Sequence, residues 1–265
     1  MDNSNGAAAL KHIAPTNLAA LPDAQETSAF KIKKSSDKYT NFTQQFPFYK
    51  FKAWELYEHI SLARSRRHGG DFEDVTIDSL VRAFASNESD KKKFRQVIDE
   101  LQREESPTVK YLSSEFFRTE NGHIEYQALC LLIMLMCKGT SKNKARIFYN
   151  VLQDGSPGQL MISANDKDLE PAFRILLNVA CKAPLEHCGD KKLIENFDES
   201  NFDDVFEQFI DKVFDVDSIC TRDVFEKRVR RSYSAVFNPK QMRKIVKITD
   251  HAYSDEDEES EVSDD

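Results

Sequence analysis

Large apolar side chains at Phe202, Val205, Phe206, Phe209, Ile210, Val213 and Phe214 set the strongest limit on how this chain folds. Their i, i+3, i+4, i+7 spacing lays one apolar stripe along an α-helix, whereas a half-buried strand needs strict alternation. Phe94, Val97, Ile98 and Leu101 repeat the spacing. Leu129 to Met136 is apolar on every side, the mark of a buried helix. No long alternating segment occurs, so the expected class is all-α.

Further helices follow from local signals. Pro47 interrupts a dense aromatic run, Phe42 to Tyr57, and the spacing predicts a first helix from Tyr49 to Ile60. The run reads as the core face of that helix, with a protein-docking segment as the alternative. Lys138-Gly139 is expected to end the buried helix in a left-handed cap, and Ser141 to cap a helix over Lys142 to Leu152. Asn238-Pro239 opens a basic amphipathic helix in 236–250.

The formal charge of −8 is concentrated at one end. Residues 251–265 hold eight acids and no Lys or Arg, and setting those eight aside leaves 37 acids against 37 bases. A whole-chain nucleic-acid footprint is therefore not expected. The longest apolar run, Ala128 to Cys137, makes about 15 Å of helix against the ~30 Å of a bilayer core, so no membrane insertion is expected. Five cysteines without a secretory signal point to reduced thiols and a cytoplasmic location, with the nucleus as the alternative. Residues 1–41 show no apolar period and read as a disordered arm, and 251–265 as an acidic disordered tail.

Four short segments look alike: Val75-Thr76-Ile77-Asp78, Gly122-His123-Ile124-Glu125-Tyr126, Gln159-Leu160-Met161-Ile162-Ser163 and Asp217-Ser218-Ile219-Cys220-Thr221. Each follows a polar or glycine-bearing turn, centres on an apolar residue and leads into a helix. Phe116 to Leu129, with Gly122 at the sharp turn and Ile124 after it, resembles the second hand of the neuronal calcium sensor and calcineurin B families. Met136 to Phe148 resembles the linker to their third hand, and also the EF-hand-like segments found with TLDc domains, although no TLDc domain fits in this chain. The resemblance covers roughly 50–235. It implies two paired EF-hand-like units, about 42–138 and 139–235, joined through short β-bridges, with an apolar groove for a partner helix.

The loops themselves lack what calcium requires, namely oxygen side chains at positions one, three and five and a bidentate Glu at twelve. The second loop places Phe117, Thr119, Asn121 and Ala128 there. With Ile77 at the bridge, the first has Gly70 and Phe72 at one and three and Val81 at twelve. The third gives Gln153, Gly155, Pro157 and Ala164, or Gly155, Pro157, Gln159 and Asp166. The fourth gives Val213, Asp215, Asp217 and Val224, leaving Asp215 and Asp217 as the residual metal candidates. No cofactor is expected, and Ca²⁺ binding is not expected.

Other chemistry finds no footing. Cys181, His187 and Cys188 lack a second ligand pair and read as loop residues. Gly155-Ser156-Pro157-Gly158 has no Gly-Lys-Ser/Thr after it. No catalytic signature is present, so an enzyme is not expected. The expectation is a non-enzymatic adaptor or scaffold whose partner is a protein, received by Leu129, Leu132, Ile133, Met136, Phe206, Phe209, Met242 and Ile245. Arg228, Arg231, Arg243, Lys244 and Lys247 form a candidate basic patch, and Ser254 in its acidic context a candidate phosphorylation site. The alternatives are a calcium-responsive sensor and a nucleic-acid-associated protein using the basic patches.

Overall fold

The computed structural model describes residues 43–64, 75–153, 161–187, 189, 200–214 and 217–246. The expected arm at 1–41, the acidic tail at 251–265 and the last residues of the expected C-terminal helix lie outside them. The described chain is mostly helical, with one two-stranded antiparallel sheet.

Its first half runs through a 3-10 turn at Pro47–Lys50, α1 (Ala53–Ala63), α2 (Ile77–Phe84), α3 (Glu88–Lys93), α4 (Arg95–Leu101), α5 (Pro107–Leu112) and α6 (Tyr126–Met136). The starts are chemically marked. Thr76 and Ser79 form a reciprocal capping box, Asn87 accepts the Asp90 N–H, and Ser106 accepts the Val109 N–H ahead of Pro107. The first helix begins four residues later than expected. Phe51 and Lys52 are extended instead, because Ala53 N–H donates to Lys138 O at 2.7 Å and Lys138 N–H to Phe51 O at 3.0 Å. With that pairing the chain leaves α6 in extended form at Cys137, so no left-handed cap closes the helix, although Gly139 takes a positive φ of +155° two residues later. Thr140, not Ser141, then caps the next helix through the Asn143 N–H.

The second half comprises α7 (Ser141–Leu152), β1 (Met161–Ser163), α8 (Leu169–Leu177), a π turn at Asn178–Lys182, α9 (Ala183–His187), α10 (Asn201–Phe214), β2 (Ile219–Thr221), α11 (Arg222–Ser232), a 3-10 turn at Ser234–Phe237 and α12 (Pro239–Ile245). Cys181 and His187 are therefore helical, not loop residues. The π turn has a readable cause. Pro184 has no N–H for the carbonyl four residues back, Ala180, so the regular ladder cannot run through. Arg243 Nη1 donates to that carbonyl at 3.1 Å and seats α12 against the turn.

One hydrophobic cluster runs from Phe46 to Val246. Its centre is α6, which packs on α1, α7, α8 and the π turn. Every side chain from Ala128 to Leu135 is buried. Aromatic rings fill both flanks. Phe94 meets Phe51 and Phe84, each at 5.2 Å between centroids, while Phe209 stacks on Phe173 at 4.7 Å and meets Phe148 at 5.9 Å. The early aromatic run joins this core, with Phe46 and Phe48 buried.

Besides Glu226, one charged side chain is buried among the described residues, Lys144. It is 9% exposed and its Nζ donates to Phe237 O at 3.3 Å. Burial holds its ammonium below the ordinary lysine value, with Cys137 nearby acting in the opposite direction. The unfolded chain keeps this proton to higher pH than the folded chain does. Its contribution to stability therefore grows as pH rises toward the ordinary value of 10.5 and levels off above it. Replacing Lys144 with Met removes a buried ammonium but also the donor to Phe237 O, so stability at neutral pH is expected to change by no more than about 1 kcal/mol, and that rise to flatten. Urea-unfolding midpoints of both proteins at about pH 7 and 9.5 check this. Equal pH slopes in the two proteins count against it.

Candidate interaction surfaces

Two short backbone pairings join segments that lie between helices. In the first, Val75 and Ile124 form an antiparallel bridge, with N–H···O distances of 3.0 and 2.7 Å. In the second, β1 and β2 pair with Ile162 opposite Cys220 at the centre. Gly122 takes φ +76°, the left-handed turn its position calls for, and its own loop folds back so that Arg118 also bridges Ile124. The bridge residue of the first loop is Val75, not Ile77, because the capping box starts α2 at Ile77 and leaves the residue before Thr76 extended.

These registers fix what each loop offers. Were the first a calcium loop, counted with the bridge residue as position eight, its positions one, three, five and twelve would fall on His68, Gly70, Phe72 and Ser79, the first three outside the described residues. The third takes the Gly155, Pro157, Gln159 and Asp166 alternative. Asp166 is already engaged locally, accepting the Asp168 N–H at 3.2 Å. In the second, Ala128 at position twelve is fully buried. The fourth keeps Val213, Asp215, Asp217 and Val224. Asp217 is bonded to Arg228 at 2.8 Å, and Asp215 lies outside the described residues. Among the described residues no three His, Cys, Asp or Glu gather as a metal group.

The residues expected to receive a partner do not form a surface. Leu129, Leu132, Ile133, Phe209 and Met242 are at most 1% exposed, and Met136, Phe206 and Ile245 are half-buried against the same core. An apolar stripe looks identical in sequence whether a partner or the chain's own helices cover it, and here the chain covers it. The basic patch is likewise divided. Arg228 and Arg243 are bonded into the fold, Arg231 and Lys244 are exposed, and Lys247 and Ser254 lie outside the described residues.

Burial pushes the Cys181 thiol up to about 12 and raises Cys137 and Cys220 as well, which keeps these sulfurs as thiols at neutral pH. His187 meets Gln45 Oε1 at 3.2 Å and the Tyr111 ring edge-on. An open polar cleft of about 260 Å³ lies between the Pro47 turn and α4, crossed by a Lys50–Gln96 bond of 2.8 Å. No helix among the described residues is long and apolar enough to cross a membrane.

The most exposed large apolar side chain among the described residues is Leu62 on α1, at 71%, and three more lie on or just after the β1–β2 ribbon, in segments the sequence singled out for their inward residues. Met161 is 50% exposed, Ile219 52% and Val224 37%. Alternation along each three-residue strand turns Ile162 and Cys220 inward and Met161 and Ile219 outward. Val224 follows in the first turn of α11. The alternation was visible in sequence, but three residues are too few to separate it from a helix start.

Compared with known protein families, curated proteins and solved structures, the chain matches none of them.

The position of α12 carries a prediction. Met242 is fully buried and Val246 nearly so, which makes this helix part of the core. Met242→Ala is expected to cost about 2–5 kcal/mol, and ending the chain at Phe237 to lower the melting temperature and raise hydrophobic-dye binding. Scanning calorimetry with dye fluorescence decides. An unchanged melt would reduce α12 to a surface attachment.

Proposed function

We propose that this chain is a non-enzymatic adaptor built on two EF-hand-like pairs that hold their shape without calcium. The observation that carries this reading is the loop-to-loop joining of helix–loop–helix units at Val75–Ile124 and Ile162–Cys220, in loops without a calcium ligand set. Joined loops fix the angle between helices, and a fixed angle suits a scaffold. Because the interior is filled by the chain's own helices, the partner is a protein met at the outer surface, and the outward face of the β1–β2 ribbon is the site proposed. Met161, Ile219 and Val224 give it apolar anchors that need no opening of the core.

Calcium and chelator are expected to give the same melting temperature and the same Trp54 fluorescence. A saturable calorimetric signal with Kd below about 10⁻⁵ M would instead mark a sensor. Partner capture is expected to survive chelator and to fall at least about tenfold with Met161→Ser plus Ile219→Ser, the scale of one lost apolar anchor. Cross-linking with mass spectrometry on wild type and variant reads this out. Equal capture by the two would move the docking surface elsewhere.

A further inference from the structure

The fourth loop contains a contact that neither the core nor the proposed docking face requires. Arg228 lies on α11, four residues beyond Val224, the twelfth loop position, and so on the same helix face. Helical side chains lean toward the N-terminus of their helix, which aims a long side chain at Arg228 back over the loop. Its Nη1 donates to Val213 O at 3.0 Å and lies 3.3 Å from Cys220 Sγ, while its Nη2 donates to Asp217 Oδ2 at 2.8 Å. One planar cation thus joins the first, fifth and eighth positions of the loop.

The acceptors explain why a cation is needed. Val213 is in the last turn of α10, where backbone carbonyls have no partner within the helix and the helix dipole is negative. Asp217 adds a carboxylate a few residues later. Loops of this shape gather oxygens around a positive charge, and here the charge comes from the chain. We infer that Arg228 closes the fourth loop from within, standing in for a bound cation, so that the second helix–loop–helix pair keeps its shape without metal. This takes from the proposed function only the likeness of the loop to a calcium loop.

Hydrogen exchange on the full-length protein tests it. In Arg228→Ala, amides of 213–221 and of β1 should exchange about tenfold faster or more, as expected for loss of one charge-assisted hydrogen bond, while those of α6 stay unchanged. Millimolar guanidinium chloride should restore part of the protection, and sodium chloride at equal ionic strength should not. Arg231→Ala, which removes the same charge from an exposed neighbour, should leave the loop as in wild type. Unchanged exchange in Arg228→Ala, equal acceleration in Arg231→Ala, or recovery with sodium as complete as with guanidinium overturns the inference. Should Arg228→Ala not fold, Asp217→Asn decides on an exposed loop residue: faster ribbon exchange supports the clamp and wild-type exchange overturns it. Loop exchange needs no partner, so its result stands apart from the capture experiment that tests the adaptor.

Discussion

A helix without a polar face has to be surrounded, and α6 is such a helix. From Ala128 to Leu135 every side chain is removed from water. At about 25 cal/mol per Å² of apolar surface, leaving even one side of it exposed costs several kcal/mol, comparable with the whole net stability of a domain. The arrangement of α1, α7, α8 and the π turn around α6 answers that demand. It also explains why an apolar groove along α6 was the wrong expectation, because a groove there would have to be refilled by the chain itself.

Enclosing α6 requires that the chain enter and leave it at fixed angles, and very short backbone pairings do this. The strand-like contact of Lys52 with Lys138 ties the start of α1 to the end of α6. The Val75–Ile124 bridge ties the start of α2 to the start of α6. The β1–β2 ribbon does the same for the approaches to α8 and α11. Each pairing lies beside a helix start, so a few bonds set the directions of whole helices. Hydroxyl and amide caps at Thr76, Asn87, Ser106, Thr140 and Asn238 define where those helices begin.

Features that depend on local periodicity were legible in the sequence, and those that depend on a distant backbone group were not. The stripe on α10 and the buried character of α6 follow from spacing alone. Gly122 and Ile124 were readable because a left-handed glycine followed by an apolar residue fixes the register. Ile77 was mistaken for a bridge residue, although the Thr76–Ser79 pair carried the deciding signal. The choice of Thr140 over Ser141 hangs on the extended exit from α6, which only the Lys52 contact reveals. Leu169, Ala172, Phe173, Leu176 and Leu177 keep the helical spacing that announces α8, and its continuation through the π turn and α9 is what makes Cys181 and His187 helical and not loop residues. For the candidate surface, sequence named the apolar residues correctly as large and patterned but could not say which face the chain itself would cover.

The cations show the same division most clearly. By composition, the region after 222 is a basic surface offered to an acidic partner. In the fold, Arg228 donates to Val213 O, Arg243 to Ala180 O and, from the other direction, Lys144 to Phe237 O. Two of these carbonyls close a helical segment, Val213 in the last turn of α10 and Phe237 at the end of a 3-10 turn, and the third is deprived of its usual donor by Pro184. A long cationic side chain is well suited to reach such carbonyls, and at Val213, which also accepts from Cys220 Sγ, it opposes the negative end of the α10 dipole. Each contact also reaches across the sequence, joining α11 to α10, α12 to the π turn and α7 to the C-terminal turn. Charge that composition assigns to the surface thus holds helix ends together, and the basic character left for an external partner is correspondingly reduced.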